Sequence, residues 1–244
     1  MRQVMAIILR ELLIFKRKFW RYAFSFSISP LLYMITFGWA ARGRLLNNGV
    51  DYMTFMLPGL IAMSSMMNSF AMSSEINIAR FYWKTFDEIR SAPVSDLAYA
   101  SGEVLSGMLR GGFAAGVVIV LGMFFHVPIH LSPALAGAVA LTTFIFASLA
   151  ICTAMLTKSH ADQAMLSSFV ITPMAFLCGT FFPVDLYPEW IGTLVSLLPL
   201  TPAAKVIRAA AQGNPMPATA LAYLGVSAAI CFSLAVIVVR QTKK

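Results

Sequence analysis

Six stretches of this sequence are apolar for long enough to cross a bilayer, near 23–41, 53–76, 101–125, 133–156, 164–182 and 218–239. A hydrocarbon core of about 30 Å takes about 20 helical residues to span. Only helices and closed barrels satisfy every backbone hydrogen bond at that depth. The stretches are continuously apolar rather than alternating with period two, so they read as helices. Composition agrees: 59% of the 244 residues are hydrophobic, 11% are charged and the mean hydropathy is +0.78. An ordinary soluble domain is about half apolar and a quarter charged. The expected fold is one all-α integral membrane domain over residues 1–244, with little length left for a soluble one.

The formal net charge of +8 admits nucleic acid or an anionic surface as a partner. In a membrane chain it reports first on orientation, because Lys and Arg collect on the cytoplasmic side. With the N-terminus inside, thirteen basic residues fall in inner segments: Arg2, Arg10, Lys16, Arg17, Lys18, Arg21, Arg80, Lys84, Arg90, Lys158, Arg240, Lys243 and Lys244. Only Arg42, Arg44, Lys205 and Arg208 fall outside, and Arg110 lies within the third stretch. Both termini are therefore expected in the cytoplasm, membrane lipid is the expected surrounding, and no nucleic-acid partner is expected. Cys152, Cys178 and Cys231 all lie in apolar segments and form no CxxC pair. The opening Met1-Arg2-Gln3-Val4 does not lead into a short apolar core with a small-residue cleavage site, so no cleaved signal is expected.

Residues 1–21 read as a helix lying on the membrane. At 100° per residue Arg10, Arg17 and Arg21 fall within about 40° of one another, while Val4, Ile8, Leu12, Phe15 and Phe19 point elsewhere. A basic amphipathic helix suits the headgroup interface; a cytoplasmic extension of the first span is the other reading. The third stretch carries Gly107…Gly111 and Gly112…Gly116, spacings that allow close helix contact. Residues 183–215 are broken by Pro183, Pro188, Pro199, Pro202 and Pro215 and hold no unbroken run long enough to span. They read as two short helices that enter the outer leaflet and return, a candidate outer gate.

Nucleotide hydrolysis would need a phosphate cradle of the form G-x-x-x-x-G-K-[ST]. Neither that string nor G-x-G-x-x-G occurs, so the chain is expected not to hydrolyse nucleotide on its own, and no nucleophile–base constellation offers catalytic residues. His126 and His130 have metal-like spacing, but Pro128 separates them and no Cys, Asp or Glu is near; no metal site is expected. In the second stretch, Ser64, Asn68 and Glu75 fall within about 40° on a helix, with Met72 beside them. Such a stripe is either interhelical glue or the wall of a wet path. Glu103 and Arg110 are two turns apart, so Arg110 either snorkels toward the cytoplasm or meets a carboxylate on another helix.

The inner loop 78–100 is unusually apolar for a cytoplasmic segment, with Phe81, Tyr82, Trp83, Phe86 and Ile89. Thr85 can cap a short helix whose first turn carries Asp87 and Glu88, and Pro93 ends it. An apolar helix with a charged rim is built like a docking site.

At this loop the chain resembles the type-2 family of ATP-binding-cassette (ABC) exporter permeases, in the branch with nodulation-factor, drug and polysaccharide export permeases. An acidic pair, a short stretch and Ala-Pro-Val before the third span stand here as Thr85-Phe86-Asp87-Glu88-Ile89-Arg90-Ser91-Ala92-Pro93-Val94-Ser95. Tyr52-Met53-Thr54-Phe55-Met56-Leu57-Pro58-Gly59 is similar to the family's opening of the second span, and Gly107-Met108-Leu109-Arg110-Gly111 to its third-span pattern. Phe182 to Trp190, Leu198 to Pro202 and Arg208 resemble its outer re-entrant segment. Arg90-Ser91 departs from the apolar residues more often found there.

The resemblance implies a bacterial plasma-membrane homodimer, or a pair with a close relative, on two copies of a separate ATPase subunit that binds the ATP and Mg. The chain itself would hold no cofactor. Thr85, Phe86, Asp87, Glu88, Ile89, Arg90 and Pro93 would form the coupling helix that docks into the ATPase. Ser64, Asn68, Met72, Glu75 and Thr172 would border the translocation path, and Phe181, Phe182 and Pro183 its outer mouth. The cargo would be amphiphilic: a lipid-linked glycan, a lipid or a drug-like molecule. An ion-coupled secondary transporter would want acids at mid-membrane and inverted repeats; Glu75 and Glu103 sit near cytoplasmic ends. A membrane scaffold leaves the docking loop unexplained.

Overall fold

The computed structural model describes residues 2–40, 51–83 and 95–242, and every element there is helical. Helix α1 runs from Arg2 to Ala40 without interruption. The boundary expected near residue 22 is not present, because no Gly or Pro occurs before Pro30 to break the helix. Phe15 and Phe19 of its first half both pack on Phe113, with ring centroids 4.7 and 5.3 Å apart.

Asp51 caps helix α2 (Tyr52–Phe70), accepting from the N–H groups of Met53 and Thr54. Most of α2 is buried all round, including Met56, Leu57, Leu60, Ile61 and Met66, as befits the central post of a bundle. A break at Ala71 separates it from α3 (Met72–Phe81). Helix α4 (Asp96–Phe124) starts on a Ser95 cap and α5 (Pro133–Leu156) on Ser132 followed by Pro133, a favoured pairing at a helix start.

The two glycine repeats of α4 have different fates. A Cβ on Gly107 would lie 2.7 Å from the Ala147 Cβ, and one on Gly111 would lie 2.0 Å from Ser69 Oγ and 2.7 Å from the Ser65 carbonyl oxygen. These two glycines therefore let α4 press against α2 and α5. Gly112 and Gly116 face open space.

The fifth apolar stretch forms no single regular helix. Helix α6 (His160–Leu166) passes into a π-helical turn, Ser167–Ile171, and then into α7 (Thr172–Leu177). Pro173 has no N–H to donate, and the turn widens just before it: the Thr172 N–H reaches the Ser167 carbonyl, and Thr172 Oγ1 donates to the same oxygen at 3.2 Å. At 1.5 Å per residue, 160–177 is about 27 Å long. Gly179 then takes a φ of 79°, which ends the helix.

Within 183–215, helices α8 (Glu189–Ser196) and α9 (Leu200–Ala211) follow a 3₁₀ turn at Val184–Leu186 and bend from each other by 81°. The two short helices expected there are present. Helix α9 is largely buried, whereas Trp190, Leu194 and Leu197 on or beside α8 are exposed. Helix α10 (Ala218–Thr242) closes the bundle. Among the described residues, four helices are long and apolar enough to cross a membrane: α2 with α3, α4, α5 and α10. They become five if the bent pair α8–α9 counts as one span. The architecture is thus a multi-span helical bundle; the expected total of six is a finer statement than these helices carry.

Candidate functional site

A cleft of about 280 Å³ opens between α1 and α2. Ser25, Ser29 and Tyr33 line it from α1, and Leu60, Ser64, Met67, Asn68 and Ala71 from the α2 side. Ser64 is nearly buried and Asn68 half-buried, its Nδ2 donating to the Ser64 carbonyl at 2.9 Å. That bond ties down part of the amide within α2. The hydroxyls of Ser25, Ser29 and Ser64 and the remaining amide capacity give the cleft neutral polar chemistry on an apolar frame.

Of the other residues expected on this path, Met72 packs on α4, its Sδ 3.4 Å from where a Gly107 Cβ would lie. Glu75 does not line the cleft either; it pairs with Arg110 of α4. Glu75 lies one turn beyond Ala71 on the same exposed face of α2 and α3. Arg110 therefore meets a carboxylate on another helix, and its guanidinium also lies 5.9 Å from the Tyr22 ring of α1. Thr172 is exposed and spends its hydroxyl on the π-helical turn.

Tyr33 connects the cleft to the turn at Gly179–Phe182. Its ring packs edge-on at 5.1 Å against Phe181, which is buried and also meets Phe37 at 5.0 Å and Phe176 at 5.4 Å. Phe181 thus sits inside an aromatic plug, while Phe182 is 47% exposed and Pro183 half-buried. The three residues expected at the mouth are adjacent in the fold, with Phe181 alone in the plug.

Two residues hold this turn in place. A Cβ on Gly59 would come 2.5 Å from the Thr180 carbonyl oxygen and 2.8 Å from its Cα, so only glycine lets the turn lie on α2. Arg208 of α9 donates to the carbonyls of Gly179 at 2.7 Å and Phe55 at 3.3 Å, and its guanidinium stacks 3.9 Å above the Phe55 ring. Carbonyls and a π face, rather than a carboxylate, solvate this cation among the described residues. Sequence reasoning placed Arg208 in the outer segment without finding this bolt; Pro58-Gly59 was the available signal for a close backbone approach. Thr85, Phe86, Asp87, Glu88, Ile89, Arg90 and Pro93 lie outside the described residues.

The sequence profile described as ABC-2 type transporter matches residues 2–211, which takes in the cleft, the plug and the Arg208 bolt. The chain belongs to the ABC-2 type transporter family. Among curated relatives, the inner membrane transport permease YadH of Escherichia coli K12 is 30% identical over 176 residues, covering 71% of this chain and 68% of that protein. Nodulation protein J of Rhizobium meliloti strain 1021 is 30% identical over 200 residues, covering 77% of this chain and 72% of that protein. Nodulation protein J of Neorhizobium galegae is 29% identical over 196 residues, covering 77% and 73%. This ABC-2 chain is accordingly a membrane permease of an ABC transporter. All of α10 lies beyond the family match. Among the described residues of this permease no group of three or more metal-ligating side chains gathers.

Proposed function

We propose that this permease is the membrane-spanning half of an ATP-driven exporter, acting as a homodimer on two copies of a separate ATPase. The ATPase supplies the ATP and Mg chemistry. In this reading residues 23–40 of α1 and the stretch 160–177 are spans as well, giving six, and α8–α9 is the outer re-entrant segment. Both termini face the cytoplasm of a bacterial inner membrane, as the Lys and Arg distribution favours. YadH carries the inner membrane in its name.

The observation that carries the reading is the α1–α2 cleft closed above by a packed aromatic turn. Its wall combines serine hydroxyls and an amide with Leu60, Met63 and Met67. That mixture suits a cargo with a polar, uncharged head and an apolar body: a lipid-linked glycan, a lipid or a drug-like molecule. Ser64 and Asn68 are the path residues on α2, Phe181 is the plug, and Phe182 and Pro183 are its rim. Segment 85–93 is the coupling helix, with Phe86 and Ile89 as apolar anchors and Asp87 and Glu88 as the charged rim.

The coupling assignment is tested by affinity capture of the detergent-solubilised permease. The wild type is expected to retain a phosphate-loop ATPase. Phe86→Asp, which puts a charge where a desolvated anchor of about 2 kcal/mol or above stood, is expected to lower the retained ATPase about tenfold or more, and Glu88→Lys, which reverses a rim charge, to lower it by less. Unchanged retention in both variants would sink the assignment of 85–93.

A further inference from the structure

Helix α3 leads directly into the segment proposed to meet the ATPase, and one face of it is polar yet buried. Ser73, Asn77 and Arg80 fall within about 60° on that face. Gln163 of α6 donates from Nε2 to Ser73 Oγ at 2.9 Å and accepts on Oε1 from Asn77 Nδ2 at 3.4 Å. Asn77 Nδ2 also donates to Thr157 Oγ1 at 3.1 Å, in the α5–α6 connection. Ser73, Asn77 and Gln163 are all fully buried. One turn further on, Arg80 donates to carbonyls at the end of α5, reaching Met155 at 2.9 Å and Ala154 at 3.2 Å. A guanidinium there satisfies carbonyls that the helix leaves open and complements the negative end of its dipole.

A buried amide network of this kind has few alternative arrangements, because each member loses its partner if the helices slide. Beyond α6 the chain is different: the π-helical turn Ser167–Ile171 departs from regular helix pairing and leads into the helix that carries Phe176 of the plug.

We propose that the Ser73–Asn77–Arg80 face and Gln163 form a transmission clamp that makes α3 and α6 one rigid body. Displacement of the segment after α3 is thereby delivered to the π-helical turn and from there to the plug. This rests on the reading that 85–93 meets an ATPase. The seam residues are positioning residues and touch neither cargo nor nucleotide.

The test uses spin labels on cysteines placed at Tyr82 and Met165, both exposed, and a second pair at Met165 and Leu177 that straddles the π-helical turn. Distances are measured in lipid nanodiscs, with the three native cysteines replaced. In the nucleotide-free permease the 82–165 distribution is expected to be narrow. The double variant Asn77→Leu/Gln163→Leu removes both amides with side chains of similar volume and leaves the Ser73 and Thr157 hydroxyls to bond carbonyls of their own helix turns, as Thr157 already does with Ala154, a change that spares folding better than orphaning one amide. It is expected to broaden that distribution.

With the ATPase bound and trapped by ATP and vanadate, the wild-type 82–165 distance is expected to stay fixed while 165–177 shifts. In the double variant the 165–177 shift is lost although ATPase retention and hydrolysis persist, a separation that general destabilisation does not produce. A wild-type 82–165 distance that changes on trapping overturns the clamp, as does a narrow distribution in the double variant. If no ATPase is retained by the wild type, the coupling reading fails instead, and the nucleotide-free widths still decide whether the clamp exists.

Discussion

Gly59→Val is expected to abolish the native turn at Gly179–Phe182, whereas Gly112→Val is expected to leave the fold intact. A side chain at Gly59 meets backbone, with the Thr180 carbonyl oxygen 2.5 Å and its carbonyl carbon 3.0 Å from the first added atom. No rotamer relieves that contact, so either α2 or the turn after Gly179 must move. Overpacking in a filled core costs about 1–3 kcal/mol, and Val adds two methyl groups beyond the first clash. Displacing the turn also pulls Phe181 from its contacts with Tyr33 and Phe37. Gly112 has no atom within 4 Å of the same ideal position, which makes it the internal control. Thermal unfolding of the detergent-solubilised variants, followed by size exclusion, checks both. Gly59→Val should lose most of its monodisperse material and Gly112→Val should match the wild type.

Arg208→Ala is expected to free the same turn from the opposite side. The substitution removes donors to Gly179 and Phe55 and a cation packed 3.9 Å from an aromatic ring. Hydrogen bonds made by a charged donor contribute about 1.5–3 kcal/mol each, and a desolvated cation–π contact about 2. Relief of guanidinium desolvation opposes this loss, but the carbonyls and the ring already provide the cation with a substitute shell. Loss of the bolt therefore wins. Arg208→Lys keeps the charge without the planar fork and is expected to be intermediate, since one ammonium does not reproduce two divergent donors and a stacked plane. Cys178 reports the outcome, because its free thiol is fully buried beside the turn. It should be inert to maleimide in the wild type, reactive in Arg208→Ala and slower in Arg208→Lys. An inert Cys178 in both variants contradicts the bolt.

Helix α5 was legible to the residue, since Ser132 and Pro133 announce its start and the apolar run ends at Leu156. The proline-broken stretch 183–215 was legible as two short helices for a similar reason: prolines mark where regular bonding stops. Residues 1–21 stayed open between an interfacial helix and an extension of the first span because amphipathicity describes what a helix faces, not where it ends, and residues 2–29 contain no breaker to mark a boundary. The face shared by Ser64, Asn68 and Glu75 was legible from helical spacing, whereas the Arg110 partner of Glu75 stands on another helix and leaves no trace in that spacing. The π-helical turn before Pro173 has no periodic signature at all. Gly59 and Arg208 act across 121 and 29 residues, on Thr180 and Gly179 respectively; Pro58-Gly59 signals a close approach locally, but nothing local names the distant partner. Buried Gln163 was likewise invisible, since a polar residue beside a loop reads as solvated until its partners on α3 are known.

The central claim is a path along α1 and α2 whose access is switched by a separate ATPase, and single-cysteine labelling tests it without knowledge of the cargo. Asn68→Cys and Phe182→Cys, in a background without the native cysteines, are exposed to a membrane-impermeant maleimide from one side at a time. In the resting permease Asn68→Cys should label from the cytoplasmic side and Phe182→Cys from the outer side. With the ATPase bound and trapped by ATP and vanadate, Asn68→Cys should lose its cytoplasmic reactivity and gain reactivity from outside. Labelling at Asn68→Cys that is indifferent to the ATPase and to nucleotide would contradict the account.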